Sequence, residues 1–253
     1  MIHSFLLIGQ SNMAGCGAIS EALPIDTEHI KVLRNGRWQR MFRPVNPDRP
    51  FAGVCLAESF AEKYAKTYGV DVGLIPCAEG NTNLNQWQPG SLLFDNAVCQ
   101  AKLAARTSTI AGVLWHQGEA DCNPQFYPTY RIRFEKMMAA FRKELDLYDV
   151  PFLVGELGEF LVNYKKSVNL PNFPRVNEAL REIAANNPMT GFVSAKGLTS
   201  NPDNVHFNSA SLYEFGLRYF EVFETLRDPD KVFTEKPSPD EALRNPANPI
   251  QLL

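Results

Sequence analysis

An α/β protein, with a mainly parallel sheet covered by helices on both faces, is the fold this sequence predicts. Three observations carry that expectation. Apolar runs of strand length alternate with segments of helical period along the chain. The 253 residues reach about the upper limit for one hydrophobic core, so one domain is expected. Polar, chemistry-bearing clusters fall where the strand-like runs stop, and open α/β sheets bind ligands beyond the carboxyl ends of their strands.

The first strand is read over 3–9, ending in Gly9-Gln10-Ser11-Asn12. Residues 30–41 look like a small hairpin, because Asn35-Gly36 is a turn dipeptide that accepts left-handed backbone at both positions. An amphipathic helix follows over 55–69, with Leu56, Phe60 and Tyr64 on one face and Gly69 as its terminating residue. The second main strand is read at 71–78, a helix at 92–106, and the third strand at 110–118. The helix over 127–146 turns Tyr130, Phe134, Met137, Met138, Phe141 and Leu145 inward. The fourth strand (151–158), a helix (175–187), the fifth strand (191–195) and a last helix (209–226) complete the core. The domain is thus placed at 1–227. Residues 228–253, with five prolines, are expected to form a surface tail of the same domain, anchored by Phe233 and Leu243.

Composition excludes several classes. Apolar residues make up 45% and charged residues 21%, an ordinary balance for a globular protein. A net charge of -3 gives no electrostatic footprint for nucleic acid. No run of about 18 apolar residues suggests a membrane span. The start, Met1-Ile2-His3, has no basic region or long apolar stretch of a signal peptide, so a cytoplasmic location is expected. The five cysteines (Cys16, Cys55, Cys77, Cys99 and Cys122) are odd in number, widely spaced and without C-x-x-C. They argue against a zinc site and against a disulfide framework, and no cofactor is expected. Cys55, Cys77 and Cys99 are read as small buried apolar residues.

Four strand ends carry polar clusters: Ser11, the Gly80–Trp87 segment, the His116–Asp121 segment, and Asp203–Phe207. A serine hydroxyl needs a base to become a nucleophile. His3 lies in the first strand and His29 in a loop, which leaves His116 and His206. Asp203 stands three residues before His206, close enough to hold the imidazole in one tautomer and stabilise its charged form. Ser11 and Asp203 read equally as turn residues at this level. An oxyanion would need donors, for which the Ser11 and Gly80 N–H groups and the side-chain amide of Gln117 or Asn81 are candidates. No G-x-S-x-G nucleophile elbow, G-x-G-x-x-G or phosphate-binding loop occurs.

Together, "GQSNMAG", "PCAEGNTNLNQW", "WHQGEAD" and "DNVHF" resemble the SGNH (GDSL-like) hydrolase superfamily. Within it they resemble the sialate O-acetylesterase and acetylxylan esterase group, carbohydrate esterase family 6. The resemblance implies a three-layer, flavodoxin-like α/β/α sandwich with five strands in the order 2-1-3-4-5. It implies Ser11 as nucleophile, His206 as base and Asp203 as acid, with Glu119 as the alternative acid. It also implies an oxyanion hole made by the Ser11 and Gly80 N–H groups and the Gln117 amide. Asn81 stands where the family has a second glycine and is read with Trp87 as substrate-binding; Trp87 reads equally as core, and Trp115 as core.

The expected activity is removal of a small acyl group, above all acetyl, from a small carbohydrate such as an acetylated sialic acid or xylan sugar. It uses no metal, and it involves neither nucleic acid nor membrane. The pattern is compatible with a homo-oligomer. The alternatives are an SGNH hydrolase of another ester or thioester class, and an inactive carbohydrate-binding relative. The polar 158–173 loop does not suit a lipid gate.

Overall fold

The computed structural model describes residues 1–228 together with 230, 233 and 236. Strand β1 (Ile2–Gly9) lies in the middle of one seven-stranded sheet. The other strands are β2 (Ile30–Arg34), β3 (Arg37–Arg40), β4 (Asp71–Pro76), β5 (Thr109–His116), β6 (Phe152–Gly155) and β7 (Thr190–Val193). Their order is β3-β2-β4-β1-β5-β6-β7, and every neighbouring pair is parallel except β2–β3. The five strands β4-β1-β5-β6-β7 reproduce the expected order. The expectation of five strands in all is corrected to seven, because the hairpin joins the sheet. Ile30, Lys31 and Val32 pair with Val72, Gly73 and Leu74 and extend the sheet at its edge. Asn35 and Gly36 have φ of 50° and 72°, the left-handed pair that a tight hairpin turn requires.

Pleating sorts β1 onto two cores. Phe5 and Leu7 face one layer, formed by α2 (Ala57–Tyr68) and α6 (Ser209–Leu226). Phe60, Tyr64, Phe215, Tyr219 and Phe223 fill that layer. Leu6 and Ile8 face the other, formed by α3 (Leu92–Ala104), α4 (Tyr130–Leu145) and α5 (Phe173–Asn186). The remaining helix, α1 (Ser11–Ala14), is a single turn at the end of β1.

Some side chains depart from expectation. Cys99 is exposed, because Phe94, Ala97, Ala101 and Ala104 take the inward face of α3; Cys55, Cys77 and Cys122 are buried. Arg142 is buried near the end of α4, where it donates to the carbonyls of Leu147, Pro188 and Met189. It ties that helix end to the segment that enters β7. In the tail, Phe233 packs on the His3 ring at 4.0 Å between centroids, whereas Leu243 lies outside the described residues.

Candidate functional site

The carboxyl ends of β1, β4 and β5 and the β7–α6 loop meet around one pocket of about 840 Å³. Its size suits a small-molecule ligand. At the end of β1 the chain must turn sharply. Gly9 has φ 132°, and a Cβ there would stand 2.2 Å from the His116 carbonyl oxygen, so only glycine fits. The Gln10 N–H then donates to that same carbonyl at 2.9 Å, and α1 begins with Ser11.

Ser11 is 6% exposed and lines the pocket. Its Oγ lies 2.9 Å from His206 Nε2, and His206 Nδ1 lies 2.7 Å from Asp203 Oδ2. Asp203 Oδ1 accepts the N–H groups of Val205 (2.9 Å) and His206 (3.0 Å). The same carboxylate thus shapes the turn and faces the imidazole. Partial burial pushes the Asp203 carboxyl up; its hydrogen bonds from the His206 and Val205 N–H groups and from the imidazole outweigh this, so the carboxyl is held below its ordinary value. With Nδ1–H directed at the carboxylate, Nε2 is left as an acceptor for the serine hydroxyl.

Other nominated residues stand differently. Gln117 is fully buried, and its Nε2 donates to the Thr82 carbonyl (3.0 Å) and to Asp121 Oδ2 (2.6 Å). Where a place in the oxyanion hole was expected, both amide hydrogens instead fasten the β4 and β5 loops to each other. Trp87 is also fully buried. It donates to Thr82 Oγ1 and meets Trp115 edge-on at 5.6 Å, so it belongs to the core rather than to a substrate surface. Gly80 lines the pocket, but its N–H donates to Asp48 Oδ2 at 2.8 Å and is not free for an oxyanion.

Asn81 lines the pocket at φ 60° and makes no hydrogen bond among the described residues. Glu119 is 7% exposed and lies at the pocket, where its Oε1 accepts Asn12 Nδ2 at 2.5 Å. It has no hydrogen bond or ion pair with His206. His116 sits beneath, fully buried, with Nε2 on the Glu156 carbonyl at 3.1 Å; burial pushes its pKa down.

Sequence reading missed several pocket residues. Gln10 Oε1 faces the N–H groups of Gly118 and Ala120 at 3.4 Å each, which leaves its Nε2 without a partner among the described residues at the pocket wall. Phe51 is 61% exposed, with its ring 6.3 Å from that of His206. Arg49 lines the pocket while paired to Glu79 at 2.6 Å. Lys165 and Lys166 come from the long β6–α5 loop and have no ion pair among the described residues. The one sequence signal for Phe51 is an aromatic residue in a proline-rich stretch without period. Among the described residues no group of three or more His, Cys, Asp or Glu side chains is placed to hold a metal, and no helix is long and apolar enough to cross a membrane.

Residues 1–225 match the family described as carbohydrate esterase, sialic acid-specific acetylesterase. The chain belongs to that family. It is an enzyme, a carboxylic ester hydrolase. A probable carbohydrate esterase of Arabidopsis thaliana is 25% identical over 255 residues, covering 87% of this chain and 89% of that protein. An Arabidopsis thaliana protein of known structure superposes with a TM-score of 0.78 at 24% identity, over 88% of this chain and 98% of its own. The structure of NanS gives 0.71 at 17% identity, over 88% and 97%. A carbohydrate acetylesterase from Xanthomonas citri gives 0.65 at 18%, over 88% of this chain and 57% of its own. The three solved structures share the fold, and the family match supports esterase activity on an acetylated carbohydrate.

Proposed function

We propose that the protein is a serine O-acetylesterase that removes acetyl groups from a small acidic sugar of the sialic acid type. The observation that carries this reading is the hydrogen-bonded line Ser11 Oγ–His206 Nε2 (2.9 Å) and His206 Nδ1–Asp203 Oδ2 (2.7 Å) at a pocket of sugar size.

In the proposed reaction Ser11 Oγ attacks the acetyl carbonyl while its proton passes to His206 Nε2. The imidazolium is stabilised by Asp203, and the carbonyl electrons move onto oxygen. That oxyanion is held by the Ser11 N–H and by the side-chain amides of Asn81 and Gln10, whose NH₂ groups have no competing partner among the described residues, in place of Gly80 and Gln117. When the tetrahedral adduct collapses, the C–O bond to the sugar breaks and His206 protonates the leaving hydroxyl. Water then gives a proton to His206, attacks the acetyl-serine, and releases acetate and free Ser11.

The pocket's polarity favours a sugar. Asn123, Asn163 and Asn169 line it together with Lys165 and Lys166, a lining unsuited to a long acyl chain. Lys165 and Lys166, which have no ion pair among the described residues, support a carboxylated sugar over neutral xylan, and the exposed Phe51 ring offers a flat apolar face beside His206. The test is acetate release across O-acetylated sialic acids and acetylated xylo-oligosaccharides, with Ser11→Ala as the blank. Release from the sialic acids that the variant lacks supports the reading. Release from xylan alone would overturn the acidic-sugar part, and equal release by Ser11→Ala would overturn the whole.

A further inference from the structure

His206 stands on a loop, between the end of β7 and the start of α6, yet its ring must reach within hydrogen-bond distance of a serine on β1. The loop's internal bonds fix its own shape: Asn201 N–H to the His206 carbonyl at 2.7 Å, and the Asp203 carboxylate to Val205 and His206. They do not fix where the loop sits against Ser11. From outside, the residue next to Ser11 bonds the backbone on both sides of His206. Asn12 is 1% exposed. Its Oδ1 accepts the Phe207 N–H at 3.1 Å, and its Nδ2 donates to the Val205 carbonyl at 3.1 Å. Those two residues flank His206 on either side. The second Nδ2 hydrogen goes to Glu119 Oε1 at 2.5 Å.

We infer that Asn12, held in its rotamer by Glu119, is the positioning residue that docks the His206 loop onto Ser11. The proposal rests on the serine-esterase reading for its kinetic consequence, though not for its geometry. One side-chain amide ties three strand ends together: β1 through its own backbone, β5 through Glu119, and the β7–α6 loop through Val205 and Phe207. Only an amide serves, because the site needs one acceptor and two donors on a single short side chain. Glu119 then acts on His206 through Asn12, not as the acid that faces the imidazole. Loss of the amide leaves the loop folded, because Phe207 is fully buried against Phe160 (4.8 Å) and Phe215 (5.1 Å), and Asn201 Nδ2 still bonds the Cys16 carbonyl. What is lost is registration of the loop on Ser11, and misplacement of a reacting group by about 1 Å can cost about 100-fold.

The test compares the full-length variants Asn12→Ala, Asn12→Asp, Glu119→Gln and the double variant Asn12→Asp with Glu119→Gln. For Asn12→Ala the expected result is kcat on 4-nitrophenyl acetate lowered about 10- to 100-fold with KM within about twofold. Fluorophosphonate labelling of Ser11 slows by a similar factor. The low-field NMR signal of the His206 Nδ1 proton is retained, since the Asp203 contact lies within the loop, while the ¹⁵N shift of Nε2 moves as the serine contact loosens. Asn12→Asp sets two carboxylates against each other and costs at least as much. Adding Glu119→Gln restores a donor–acceptor pair and recovers about tenfold, and Glu119→Gln alone costs only a few-fold.

The proposal is overturned if folded Asn12→Ala keeps the wild-type kcat and Nε2 shift, if the double variant recovers nothing, or if Glu119→Gln alone loses as much as Asp203→Asn. A wild-type protein that neither turns over nor labels would sink the esterase reading, and the Nε2 shift would still decide the docking role.

Discussion

Replacing Asp203 by Asn separates a working carboxylate from a turn residue with one atom. In the native site Asp203 Oδ1 accepts the Val205 and His206 N–H groups while Oδ2 faces His206 Nδ1 at 2.7 Å. An asparagine must keep its carbonyl oxygen on the two backbone donors, since turning it round would set an NH₂ group against them. Its Nδ2 hydrogens therefore face Nδ1, which must become an acceptor. The imidazole proton moves to Nε2, where it points at Ser11 Oγ and can no longer receive the serine proton. Tautomer reversal of this kind costs about 10⁴-fold in a well-studied serine protease. Asp203 is partly open to water, with 43% of its side chain exposed, and water relaxes part of the penalty. The expected loss in kcat is thus about 10³- to 10⁴-fold, or about 4 to 5.5 kcal/mol of barrier. The assay is steady-state hydrolysis of 4-nitrophenyl acetate, with circular dichroism to show an unchanged fold and melting temperature. A folded Asp203→Asn within tenfold of wild type would refute the reasoning.

Three further outcomes follow from other parts of the molecule. Gln117→Ala strips the buried Thr82 carbonyl and Asp121 of a donor, so it should cost about 2 to 4 kcal/mol in urea denaturation while kcat of the folded fraction drops less than tenfold; a hundredfold drop at unchanged stability would return Gln117 to the oxyanion hole. Burial, reinforced by the positive charges of the chain's amino terminus and Arg227, lowers His3 from 6.5 to about 4. Between those values the unfolded chain binds a proton that the folded chain refuses, so stability should fall by about 2 to 3 kcal/mol from pH 7 to 4.5, a loss that His3→Phe should largely remove in paired urea titrations. Reversing Lys165 and Lys166 to Glu should raise KM for an acetylated sialic acid about tenfold, each exposed charge contributing about 0.2 to 1 kcal/mol, without a matching rise for uncharged 4-nitrophenyl acetate; equal changes for both substrates would show that the lysines do not read the carboxylate.

What was legible in the sequence was local or periodic. The D-x-x-H spacing sets Asp203 beside His206 whatever the rest of the chain does, and the strand-end rule points Ser11 at the same pocket. The mainly parallel sheet follows from the alternation of strands and helices, the order of its five central strands was implied by the family resemblance, and the pleat of β1 divides Phe5 and Leu7 from Leu6 and Ile8.

What was not legible depended on partners distant in sequence. Gln117 leaves β5 at the right end, but Thr82, Asp121 and Tyr130 together capture its amide and backbone. Trp87 closes a short 3-10 turn that directs its ring inward, where Thr82 waits for its N–H. The Gly80 N–H is taken by Asp48, in a stretch with no periodic signal. The hairpin carries a clear turn signal, yet nothing in it announces the parallel edge pairing with β4. Asn12 was visible only as part of a polar knot, because its three bonds reach 107 to 195 residues away.

The central claim is that Ser11 carries the acetyl group. Rapid quenching of the wild-type enzyme with 4-nitrophenyl acetate, followed by peptide mass spectrometry, measures this directly. One acetyl group is expected on the peptide that contains Ser11, with none in Ser11→Ala and turnover in that variant down by several orders of magnitude. Acetyl found on another residue, or Ser11→Ala turning over at the wild-type rate, would contradict it.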